Sequence, residues 1–148
     1  MPYGAGFDSV NAVVGTFGFI YKEGKWLSQY NKAQASVEIT KAEIKPAGDR
    51  WVHHKVTALK GTGSISGYKV TDELLKEVSV VAQSEKPSFR TELIFTLEDP
   101  ESVGAERIRL MNVMFDKVDL ANWEHSTEIQ EEWPFTFEGY ELLDLLED

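Results

Sequence analysis

A chain of 148 residues falls within the usual size of one domain and is long enough to bury a core without staples. It has no cysteine, which excludes a disulfide framework and any thiolate metal site and suits a reducing cytoplasm. The net charge of −10 is unevenly spread: the 15 Lys and Arg all lie at or before Lys117, where an equal number of Asp and Glu balance them, and the whole acidic excess follows. Such a segment argues against gripping nucleic acid, which needs cations to displace counterions from phosphates. It fits either a solvated, solubilising C-terminus or a surface that repels DNA.

Residues 1–15 lack the basic start and apolar stretch of a secretory signal, and no run of apolar residues is long enough to span a bilayer, so a soluble chain is expected. With Pro2, Gly4, Gly6 and Gly15 and no sustained periodicity, these residues read as a flexible arm that becomes ordered on binding something. Its aromatics, Tyr3 and Phe7, are the candidate arm contacts. Residues 16–21 are aromatic and β-branched, and Lys22-Glu23-Gly24-Lys25 followed by Trp26-Leu27 reads as the close of a hairpin. From Trp26 to Ile44 the chain is extended in character, with Ala33, Ala35, Val37 and Ile39 alternating against Gln34, Ser36, Glu38 and Thr40. Pro46-Ala47-Gly48-Asp49 signals a turn, so residues 41–55 are expected to protrude as a hairpin or loop, with Trp51 poorly tied to the domain core.

Gly61-Thr62-Gly63 reads as a tight bend leading into a strand over residues 64–70 with a small-residue face. Thr71 is the expected N-cap of one helix, with Asp72 and Glu73 in the first turn and Leu74, Leu75, Val78, Val81 and Ala82 at helical spacing, ending near Gln83. Strands follow over residues 89–97 and 106–118, separated by a loop over 98–104. A last strand near residues 128–137 keeps Trp133, Phe135 and Phe137 on one side, and Pro134, lacking an N–H, predicts that it lies at a sheet edge. Leu142, Leu143, Leu145 and Leu146 are compatible with a short helix or with an amphipathic tail. Many strands and one helix predict an antiparallel β-sandwich or barrel with a flanking helix. The expected division is an arm over 1–15, a β domain over 16–140 and an acidic tail over 141–148.

No catalytic, cofactor-binding or metal constellation emerges. His53 and His54 are adjacent and point to opposite faces of a strand, and no phosphate-cradling loop or dinucleotide fingerprint is present. Glu131 and Glu132 likewise face apart, which argues for an exposed acidic strand rather than acid–base chemistry. Trp26, Trp51, Trp123 and Trp133 are compatible with core anchors, with interface anchors, or with the pocket of a small-molecule-binding β-barrel.

Several segments then fall in a characteristic order: Gly15-Thr16-Phe17-Gly18, Gly61-Thr62-Gly63 with Tyr68-Lys69-Val70, Leu97-Glu98-Asp99-Pro100, Gly104-Ala105-Glu106-Arg107-Ile108-Arg109-Leu110, and Glu131-Glu132-Trp133-Pro134-Phe135-Thr136-Phe137-Glu138. From Gly15 to Tyr140 the chain resembles the tail tube (core tail) proteins of contractile-tailed phages and of PBSX-type phage-like particles. The resemblance implies a non-enzymatic structural protein without cofactor, similar in fold to the type VI secretion tube protein. It also implies six copies per ring and rings stacked inside a sheath, with DNA passing through the lumen unbound. Sheath, baseplate and tape-measure proteins would be partners, membranes would not, and assembly would take place in the bacterial host cytoplasm before the tube joins the virion tail. A tube of a phage-like contractile particle or of a secretion machine is the neighbouring alternative. Within that frame Ile44, Arg50 and Trp51 are candidate inter-ring contacts, and Glu128, Glu131, Glu132 and Glu138 are candidates for an acidic lumen or surface.

Overall fold

The computed structural model describes residues 8–83 and 87–147. β1 (Gly18–Lys22) and β2 (Lys25–Trp26) form the opening hairpin. Glu23 and Gly24, with φ of 52° and 85°, make the two-residue turn whose twist matches the strands it joins. Next come β3 (Tyr30–Ile44), β4 (His53–Tyr68) and the helix α1 (Glu73–Val78), which tightens into a 3-10 turn over Ser79–Ala82. β5 (Thr91–Leu97), β6 (Glu106–Phe115), β7 (Gln130–Phe137) and β8 (Gly139–Asp144) complete the chain.

Every strand pair is antiparallel, in the order β2-β1-β5-β6-β7-β4-β3, with β8 also on β6. The sheet folds into two layers that share β6. One is β2-β1-β5-β6-β8 and the other is β3-β4-β7, which meets the far end of β6. β7 and β8 are in effect one bent strand, because Phe115↔Phe135, Met114↔Thr136, Met111↔Gly139 and Leu110↔Tyr140 keep a single register. The pairing is interrupted around Asn112, whose φ is 53°, and there the leading half stays with β4 while the trailing half follows β6 into the other layer.

The inner faces meet over Ile20, Leu93, Leu110, Val113, Ile65 and the β7 row Trp133, Phe135 and Phe137. Burying each such side chain contributes about 1.5–3 kcal/mol, and Phe115 packs edge-on against both Trp133 and Phe135 at 5.7 and 6.0 Å. α1 plugs one end of the sandwich with Leu74 and Val78. It is tied to the opening hairpin by ion pairs from Lys22 to Glu77, at 2.8 Å, and from Lys25 to Glu73. The architecture is the antiparallel sandwich with one flanking helix that the strand pattern predicts.

Four local expectations are corrected. Gly61-Thr62-Gly63 is no bend but the middle of one 16-residue strand, β4. Its glycines let aromatic rings lie flat on the backbone: a Cβ on Gly61 would sit 2.5 Å from the Phe137 ring, and one on Gly63 would sit 2.7 Å from the Phe135 ring. Pro134 lies inside the sheet, between β4 and β6. Its carbonyl accepts from the Asp116 N–H just past the end of β6, at 2.9 Å. An extended residue directs its N–H and C=O to the same side, so the missing donor faces Asp116 at the very end of the β6 ladder and the bonds to β4 are untouched. The helix cap is Asp72, while the Thr71 hydroxyl donates to Gln29 at 3.2 Å. Leu142 and Leu143 belong to neither a helix nor a loose tail; they are in β8, which runs across the boundary expected at residue 140.

Candidate assembly surfaces

β3 and β4 pair from Tyr30↔Gly67 to Ile44↔His53, but β7 covers β4 only between Gly61 and Tyr68. Beyond that cover the two strands stand alone, and every residue from Glu38 to Lys60 is exposed. The alternation that fills the core at Val37 continues outward as the cross-strand pair Ile39 and Leu59, 55% and 64% exposed, with nothing packed on it. One extra β4 residue at Thr57 makes a bulge, and its hydroxyl bonds the Thr40 carbonyl at 3.2 Å. At the tip, Asp49 accepts from the Trp51 N–H at 2.9 Å and pairs with His53 Nε2 at 2.8 Å. These two partners, His53 first, hold the Asp49 carboxyl below its ordinary value. The structure thus brings Ile44, Arg50 and Trp51 together on one exposed tip, with Trp51 81% exposed.

A second surface is the free edge of β3. Among the described residues nothing pairs with its outer side, and the edge borders an open cavity of about 530 Å³. The opposite wall is the inner face of the other layer, with Ile20, Phe95, Ile108, Leu110, Tyr140 and Leu142. A row of unpaired backbone groups above an apolar floor is the geometry that accepts an added strand.

The third surface is the outer face of the β3-β4-β7 layer. Cross-strand register aligns Ser36, Thr62 and Thr136 in one row, Gln34, Ser64 and Pro134 in the next, and Lys32, Ser66 and Glu132 in a third. The sequence predicts a small-residue face for the strand over 64–70, but not its continuation across the two neighbouring strands. The alternation of Gly and Ile with Ser and Thr over 61–67 becomes informative once both neighbouring strands are known.

The acidic candidates separate. Glu132 is exposed on this layer, Glu138 is exposed at the bend between β7 and β8, and Glu128 is exposed in the 116–129 connection. Glu131 is turned inward: it accepts from the Tyr30 hydroxyl at 2.9 Å and the Trp133 indole at 3.3 Å, with Lys69 at 3.9 Å. Burial, then the Glu131 charge, pushes the Tyr30 hydroxyl well above its ordinary value. Glu131 is therefore part of the domain's internal bracing and not of an acidic lumen. Two later acids are also engaged, Glu141 with Arg109 at 3.3 Å and Asp144 with Arg107 at 3.5 Å. The acidic excess after Lys117 does not form one continuous surface. Tyr3 and Phe7 lie outside the described residues.

Among the described residues no helix is long and apolar enough to cross a membrane, and no group of three or more His, Asp or Glu is placed to hold a metal ion. What the molecule presents instead is unpaired strand edges and an uncovered hairpin, the features of a protein completed by others.

Comparison with known proteins agrees with this. A protein of the phage-like element PBSX, XkdM of Bacillus subtilis (strain 168), is 33% identical over 141 residues, covering 93% of this chain and 95% of that protein. The fold is shared with the tube-terminating cap of the anti-feeding prophage, at a TM-score of 0.73 and 7% identity over 98% of this chain and all of the other. It is also shared with a chain of the sheath–tube complex of an extracellular contractile injection system, at a TM-score of 0.70 and 5% identity over 89% and 93% of the two chains. The family model described as "Phage tail tube protein" matches residues 5–144, and the chain belongs to that family: it is a structural, non-enzymatic tail tube protein of a phage or phage-like particle.

Proposed function

We propose that copies of this chain join side by side into six-membered rings and that the rings stack into a hollow tube. The observation that carries this reading is the pairing deficit of β3: a 15-residue strand with one edge free and its outer half uncovered on both faces. A neighbour's strand laid along that edge, above the cavity, extends the sheet laterally until the ring closes and no edge remains for uncontrolled aggregation. The hairpin, through Ile44, Arg50 and Trp51, reaches the next ring. The N-terminal arm, with Tyr3 and Phe7, adds a contact to a neighbour.

In this reading the hydroxyl-rich face of the β3-β4-β7 layer lines the lumen. Its Ser and Thr side chains stay hydrated, and Glu132 and Glu138 repel the phosphate backbone, so DNA slides without sticking. The acidic run after Lys117 contributes to the wall only through such exposed members. A sheath outside, a baseplate below and a tape-measure protein setting the length complete the tail, which is built in the host cytoplasm.

The test is electron microscopy of the purified full-length protein at high concentration. Hollow tubes are expected, and removal of residues 45–52 should leave rings that do not stack. Full-length tubes from the deleted protein would sink the role of the hairpin, and a tube lumen lined mainly by Lys and Arg would sink that of the acidic wall. The apolar cavity favours one other reading, a small-molecule-binding β-barrel. A strictly monomeric protein that binds apolar dyes would establish it instead.

A further inference from the structure

Resting on the reading that copies stack, the structure also identifies where on the next copy the hairpin lands. The tip lies at the start of β4, beyond His53, and the 116–129 connection returns to the sheet at the other end of that strand, where Lys69 N–H bonds the Ile129 carbonyl at 2.8 Å. At about 3.3 Å per residue, the 16 residues of β4 separate these two ends by about 50 Å. They are the two poles of the molecule, and both are apolar and exposed. The tip offers Trp51 and Ile44. The opposite pole offers Leu120, 81% exposed, and Trp123, 64% exposed.

The charges at the two poles are opposite. Around the tip stand Lys41, Lys45, Arg50 and Lys55, none of which pairs with a described acid, against Glu43 and Asp49, the latter engaged by His53. Around the far pole stand Asp116, Glu124 and Glu128, none paired with a described base, while Asp119 is matched by Lys117 at 3.1 Å. Exposed aromatic anchors ringed by complementary charge are what a head-to-tail contact between identical copies requires. One copy's tip is offered to the next copy's pole, and the contact repeats without limit along one axis.

We infer that the hairpin tip of one copy docks on the 116–129 connection of the next, with Trp51 and Ile44 against Leu120 and Trp123 and with Lys45 and Arg50 facing Glu124 and Glu128. The connection thereby has a purpose that the domain itself does not give it, because Leu120 and Trp123 stay exposed, Trp123 with only the neighbouring His125 ring against it. Charge at the rim sets the direction of stacking, since tip against tip and pole against pole are both repulsive.

The experiment uses full-length protein and three variants: Lys45→Glu with Arg50→Glu, Glu124→Lys with Glu128→Lys, and all four together. All four residues are exposed, and circular dichroism checks that the domains remain folded. Sedimented tube mass should fall by about tenfold or more in each reversed pair, where like charges are brought together, and should recover in the fourfold variant, whose complementarity is restored with opposite sign. Loop-reversed protein that stacks like the wild type, or a fourfold variant that fails to recover, overturns the docking site while leaving tube formation intact. Wild-type protein that forms no tube overturns the stacking reading itself.

Discussion

The body of the sandwich and the hairpin that leaves it share one alternating pattern and meet opposite fates. Val37 packs against the core, whereas Ile39, two residues further along the same face of β3, is exposed to solvent. Nothing in the strand changes at that position; its cover ends. Apolar periodicity states which face wants burial, and only the rest of the fold states whether the chain itself supplies the cover. Where it does not, the remaining apolar face is a statement about a partner.

The largest effect is expected in the body. Phe135→Ala removes a fully buried ring at the centre of the aromatic row and should cost about 3–5 kcal/mol in chemical denaturation of the unassembled protein. Next is the internal bracing around Glu131. Tyr30→Phe takes a donor from a largely buried carboxylate and should cost about 1–3 kcal/mol by the same measurement, with little change in ring or tube geometry.

How much of this was legible in the sequence varies by residue. The opening hairpin, the helix and the protruding turn carry local signals, such as Glu23-Gly24 and Pro46-Ala47-Gly48-Asp49, and the structure places them accordingly. Gly61 and Gly63 signal a bend by glycine's usual meaning; here the empty space is filled by Phe137 and Phe135, 76 and 72 residues away in sequence. Pro134 signals a missing donor, but that it falls beside the end of β6 is a fact about another strand. Leu142 and Leu143 fit several local structures, and only pairing with β6 decides. Of the acidic candidates, residue type gave the charge but not the direction. The alternation correctly separates Glu131 from Glu132 and leaves open which of them faces the core until Trp133 is known to be buried. Ile44, Arg50 and Trp51 were legible as a protrusion, while the far pole at Leu120 and Trp123 was not, because its exposure is visible only once the fold is complete.

The hairpin should respond in the opposite sense to the body. Leu59→Ser on the uncovered ribbon should change the stability of the unassembled domain by no more than about 0.5 kcal/mol while sharply reducing tube yield. A comparable loss of stability to that of Phe135→Ala would erase the distinction between the two regions. The smallest effect is local to the tip. Asp49 has a carboxyl value below that of the unfolded chain, so its bracing of the turn is fully present above the ordinary carboxylate range. It is lost as pH falls through the lowered value. NMR titration of Asp49 and the Trp51 amide should show the two moving together in acid, with the β5–β6 amides unchanged.

The central claim is that the exposed hairpin is completed by other copies, and amide hydrogen exchange over residues 38–60 tests it most directly. A two-stranded ribbon without cover is marginal in water, so in the unassembled protein these amides should exchange far faster than those of β5 and β6. On assembly they should become as protected as the body. Hairpin amides that exchange equally fast in rings or tubes and in the free chain would contradict the account.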